Sequence, residues 1–234
     1  MKHQRAVRNA PALWLAALLV AVAVPAWAGP GNTSPGIAPP NSKAFGMSLG
    51  GWLKTYVAWS YGYGPSSGMV GNVMLLPMPS PTVPSGIGTV ADPFVFVGHA
   101  DVAMASGTPF VLPVVEWLGE IYQDGHIDQS LPDDWLGRYY GAEVTLDGKP
   151  ILANLKAYYV PATVLDPPLL YPELTNYGST GIGYFQGAGL VSGPLSPGVH
   201  HLTVHAWFLV PADNGILAES GFIFENSWTI TVAP

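Results

Sequence analysis

The stretch Val199 to Val210, VHHLTVHAWFLV, constrains this chain more than any other. Leu202, Val204, Ala206 and Phe208 fall on one face of an extended strand. His201, Thr203, His205 and Trp207 fall on the other. A period of two over this length excludes a helix and requires a sheet with one buried face. Ser227 to Val232 repeats the pattern, with Trp228, Ile230 and Val232 opposite Thr229 and Thr231. The chain must therefore supply further strands and the turns that join them. It has 28 Gly and 24 Pro, and only 10% of its residues are charged. Short apolar runs divided by these breakers predict a mainly β protein, a β-sandwich of jelly-roll or immunoglobulin-like type. Cysteine is absent, so no disulfide or thiolate chemistry contributes.

The remaining strands are read from their flanks. Phe94 to Val97 and Phe110 to Val115 are Phe- and Val-rich runs, with Val102 to Ala105 expected to pair between them. Glu143 to Leu152 is a hairpin turning on Asp147-Gly148. Lys156 to Val160 and a segment from Tyr184 are further strands, and Asn72 to Met78 is a short one. Glu116 to Ser130 and Asp166 to Gly181 are expected to be loops. Ser130 to Asp134 resembles a helix start, so a short internal helix should run to Tyr140.

Two N-terminal segments differ from the rest. Lys2, Arg5 and Arg8 precede an uncharged apolar run, Leu13 to Val24, and then Ala26-Trp27-Ala28. This is the layout of a signal peptide over residues 1–28. It predicts a secreted or periplasmic protein with no membrane span after cleavage. Residues 29–45 read as a flexible leader, residues 46–84 as an aromatic helix and a Pro-rich connector, and residues 85–234 as the β-sandwich domain. In the helix, Trp52, Tyr56 and Trp59 recur at spacings of four and three, with Ser48 placed to cap its start. All 15 acidic residues lie beyond Ala28, whereas three basic ones precede it. The net charge, −7 for the whole chain, is thus more negative after cleavage. Such a surface repels phosphate backbones, which excludes nucleic acid as a partner.

Gly46-Met47-Ser48-Leu49-Gly50 fits the pattern of a serine-hydrolase nucleophile elbow. That elbow needs a strand before the serine, and Asn41 to Phe45 has no apolar run. Ser48 is better read as a helix cap. Metal or acid chemistry has a second candidate set. His99, Asp101, Glu116 and His126 offer nitrogen and carboxylate ligands to a divalent metal, the single cofactor the chain suggests, though no spacing forms a metal motif. Glu116 follows an apolar strand, where a carboxyl is desolvated and its pKa rises, so it is the candidate catalytic acid. Paired with Glu120 it is also a candidate for glycoside hydrolysis. His201 and His205 share a face at about 13 Å, too far for one ion. Trp52, Trp59 and Trp207 are the candidate binding aromatics.

Three stretches, NSKAFGMSLGGWLKTYVAW, SGTPFVLPVVE, and VTLDGKPI followed by PLSPGVHHLTV, together resemble a group of uncharacterised exported bacterial proteins. Members have a Glu where this chain has Gly51, and an Asn where it has Glu116. The resemblance implies an exported β-rich fold with an attached helix, and it brings no catalytic residues. The expectation is a non-catalytic binding or structural protein whose partner is a glycan or another exported protein. The alternative is a hydrolase or metal-dependent enzyme using Glu116 with nearby His and Asp. Ligand and oligomeric state are not encoded in any motif.

Overall fold

The computed structural model describes residues 36–212 and 217–234. The expected signal peptide and the first part of the leader lie outside the described residues. The fold is mainly β. Two short strands, β1 (Lys43–Ala44) and β2 (Met47–Ser48), form a hairpin that leads into helix α1 (Leu49–Ser60). Then come β3 (Met69–Val70), β4 (Val73–Leu75), β5 (Phe94–Met104), β6 (Phe110–Tyr122), β7 (Tyr140–Leu146) and β8 (Lys149–Pro150). The last four strands are β9 (Tyr159–Leu170), β10 (Ser179–Val191), β11 (Gly198–Val210) and β12 (Ser220–Val232).

The strands form two five-stranded sheets. The first has the order β3-β4-β6-β10-β9 and the second β5-β12-β11-β7-β8. Their facing sides share one core. Phe110, Leu112, Ala188 and Leu190 of the first sheet meet Leu202, Val204, Ala206, Trp228, Ile230 and Val232 of the second. The alternation in Val199 to Val210 holds residue by residue, with even positions from 202 to 210 buried. The outer side of the first sheet is apolar too, and α1 covers it. Trp52, Leu53, Tyr56 and Val57 pack on Val111, Ile182, Phe185 and Val191.

Ser48 caps α1 as expected, accepting a hydrogen bond from the Gly51 N–H at 3.2 Å. This bond satisfies one of the first-turn donors. Ser48→Ala is expected to cost about 1 kcal/mol in chemical denaturation without changing the fold. The hairpin at Asp147-Gly148 also forms, with both residues at positive φ, 51° and 73°. The Asp147 carboxylate accepts from the His201 N–H and meets His200 Nδ1, each at 2.8 Å.

Several expectations are corrected. Phe94 to Val97 and Val102 to Met104 belong to one strand, β5, which ends before Ala105. It pairs in parallel with β12 in the second sheet rather than with β6. Residues 116–122 are not loop, because β6 continues through them. Asp133 to Trp135 forms a single 3-10 turn in place of a helix to Tyr140, and no side chain caps it. Leu131 just before it is held instead by Gln186 of β10. Residues 166–170 extend β9 despite Pro167 and Pro168, which an edge strand tolerates. The leader is docked from Gly36 onward. The Ala38 N–H donates to the Val191 carbonyl at 2.8 Å, and Ala38 and Ala44 are buried. The connector lies along the free edge of β5, bridging at Pro81 and Ser85. Helix and connector are thus built into the same unit as the sheets.

Candidate functional site

Strand β6 changes character after Val115. Register opposite β10 sets which way its side chains point. Val115 pairs with Ala188 and Trp117 with Gln186, all inward-facing, while Leu118 pairs with Phe185 on the helix side. Glu116 pairs with Gly187 and Glu120 with Ile182, so both carboxyls lie on the face that α1 covers. An acid here is costly unless it is neutral or hydrogen-bonded.

The two acids are managed differently. Glu116 Oε1 is shut off from solvent and has no hydrogen-bond partner. Burial pushes its carboxyl up to about 7. Glu120 is gripped at one oxygen. The Tyr177 and Tyr171 hydroxyls donate to Oε1 at 2.9 and 3.2 Å, and Oε2 is enclosed and unpartnered. The Glu120 N–H donates to Asp128 Oδ2. No Lys, Arg or His among the described residues makes an ion pair with either acid.

Around Glu120 lies a run of partly exposed rings. Tyr61 follows α1, and its ring is 5.7 Å from that of Tyr171. Tyr63 donates its hydroxyl to the Leu170 carbonyl. Tyr61, Tyr63 and Tyr177 are 41%, 53% and 59% exposed, and Leu170 and Leu174 between them are also exposed. Burial, then Glu116 and Glu120, raise the pKa of Tyr61. Burial first, with Tyr61 and Glu120 adding, raises that of Tyr171. These phenols stay neutral at physiological pH. The result is an aromatic patch around one anchored carboxylate, at the end of the helix-covered face.

The other candidates do not assemble. His99 and Asp101 lie on the outer side of the second sheet, across the molecule from Glu116. His126 lies in the loop after β6, its ring beside Tyr122. Among the described residues no three His, Asp or Glu side chains gather as metal ligands. The expected metal set is therefore dispersed, because β5 belongs to the opposite sheet from β6. His99 Nδ1 lies 2.9 Å from Ser227 Oγ, and its Nε2 lies 3.4 Å from Asp101 Oδ1. That serine, histidine and aspartate stand on an open sheet face with His99 and Asp101 exposed, where water is not excluded from a reacting group. Ser48 faces an open groove of about 390 Å³ lined by Lys43, Tyr159 and small residues, with no base beside it.

The candidate binding tryptophans divide. Trp52 is core, 2% exposed, and its Nε1 donates to the Ala44 carbonyl. Trp59 packs edge-on to Tyr56, over Gly64 and Gly68. Trp207 lies flat on Gly141, where any Cβ would collide with its ring, and borders His205 on the uncovered sheet face. Tyr171 and Tyr177 escaped notice because they sit in a Pro- and Gly-rich stretch. The available signal was two tyrosines in a segment with no apolar periodicity to bury them.

No family model matches the chain, and no curated protein matches it. A solved structure with some likeness is a cysteine protease inhibitor from Entamoeba histolytica. It shares 8% identity over 58% of this chain and 94% of that one, at a TM-score of 0.21, too slight a likeness to bear on fold or function.

Proposed function

We propose that this is an exported, non-catalytic binding protein that takes a carbohydrate on the tyrosine patch around Glu120. The observation that carries this reading is the Glu120 carboxylate, fixed by two phenols and surrounded by exposed rings. Sugars present apolar CH faces that stack on aromatic rings, and hydroxyls that bond the phenols this carboxylate holds in place. Export is supported by the basic start, the apolar run and the small residues at 26–28. An immunoglobulin-like arrangement is supported over a jelly roll by strand order. β6, β10 and β9 lie in one sheet, and β7, β11 and β12 in the other.

A glycan array probed with the purified chain tests the reading, followed by calorimetry on the strongest oligosaccharide. Glu120→Gln and Tyr177→Phe should each weaken binding by about tenfold, because each loosens the hold that fixes the phenols of the patch. A blank array, or a hit whose affinity neither variant changes, overturns it.

A further inference from the structure

We propose that Glu116 is a proton-operated latch. Its neutral carboxyl lets α1 lie on the first sheet, and its ionisation loosens the end of α1 that leads into the tyrosine patch. The latch stands on the geometry of the helix–sheet interface. Its effect on ligand binding rests additionally on the carbohydrate reading above.

The geometry is specific. Glu116 lies on the covered side of β6, opposite Gly187, which has no side chain to offer it. The next residue in that cross-strand row is Val160 of β9. The ionisable groups close enough to feel its charge are the phenols of Tyr56 on α1 and Tyr61 beyond the end of α1, with Glu120 further along β6 and Tyr140 of β7 on the other side of the sheet. None is a cation. The Tyr56 hydroxyl is already committed to the Leu76 carbonyl at 2.6 Å. Glu116 Oε1 therefore has no donor within reach when ionised. With Oε1 enclosed and unpartnered, a neutral carboxylic acid fits this interface better than a carboxylate does.

Movement here reaches the patch directly. Tyr61 follows α1 at its cap position, its ring rests on Tyr171, and Tyr171 holds Glu120. Lifting the last turn of α1 removes one wall of the patch and frees the grip on the carboxylate. Burial favours the neutral form of Glu116 while the helix is docked, and that preference is lost when it lifts. Acid therefore favours docking. That advantage is full below the ordinary value of 4.5, shrinks as pH rises, and is gone above about 7. The two values correspond to a change in docking equilibrium on the order of a few hundred-fold.

Hydrogen exchange on the full chain reads the latch without any ligand. Amides of residues 49–61 are compared at pH 5.5 and 8.5, corrected for intrinsic rate and referenced to β11. The wild type should lose at least tenfold protection in α1 at pH 8.5, and Glu116→Gln should keep it at both values. A carboxyl carbon NMR titration of wild-type Glu116 is the second arm, independent of whether the variant folds, and its midpoint should fall near 7. Equal protection of α1 at both pH values in the wild type, an unchanged loss in Glu116→Gln, or an ordinary midpoint for Glu116 overturns the latch. A working latch on a chain that binds no glycan leaves this inference standing and removes only the carbohydrate reading.

Discussion

Trp228→Ala is expected to lower the unfolding free energy by about 4 kcal/mol, the largest effect of any single truncation in the core. Trp228 is 1% exposed and sits on β12, in the middle of the interface between the sheets. Truncation opens a cavity too large for Ile230 and Leu202 to fill by shifting. It also removes a buried hydrogen bond, because Trp228 Nε1 donates to the Pro77 carbonyl at 2.7 Å. That bond joins the connector to the second sheet, so the Pro77 carbonyl is left unpaired as well. Trp228→Phe should recover more than half of the loss, since it restores ring volume without the donor. Urea denaturation followed by circular dichroism reads both. A cost below about 1 kcal/mol for the alanine variant would show that this core is not the one that holds the sheets together.

Gln186→Leu should cost about 3 kcal/mol although it makes the core more apolar. Gln186 is 3% exposed on β10. Its Oε1 accepts from the Leu131 N–H at 2.9 Å, and its Nε2 donates to the Leu131 carbonyl at 2.7 Å. It also bonds the Tyr159 hydroxyl, which in turn donates to Asp133. One amide thus replaces the strand neighbour that Leu131 lacks. A leucine of similar volume leaves both Leu131 groups buried and unpaired. The segment that carries the Asp133–Trp135 turn should then loosen, and limited proteolysis between residues 128 and 139 should accelerate. Unchanged stability and an unchanged cleavage pattern would mean that Leu131 finds water instead.

Local signals in the sequence carried well into the structure. The Ser48 cap and the aromatic spacing of α1 are set within a few residues, as is the Asp147-Gly148 turn. The two faces of β11 follow from alternation alone. Glu116 was legible as a desolvated acid, because an apolar run leads into it. Pairing was not legible. The parallel match of β5 to β12 joins residues more than 120 positions apart, and no local pattern encodes it. That single register places His99 and Asp101 on the far side from Glu116. The extent of β6 was hidden for a different reason. Two glutamates and a glycine read as a solvated loop, whereas α1 covers one of those acids and phenols bind the other. The site was the least legible part, since Tyr61 and the stretch that carries Tyr171 and Tyr177 are two distant segments that only the fold of α1 onto the first sheet brings together.

The central claim is that ligand is held at the tyrosine patch. Backbone amide NMR shifts of the full chain, recorded while the strongest array oligosaccharide is added, test it most directly. The account predicts saturable shifts concentrated at residues 61–63, 118–122 and 170–180, absent in Glu120→Gln. Shifts centred instead on Trp207, His205 and His99 of the uncovered sheet, with the patch unmoved, would contradict it.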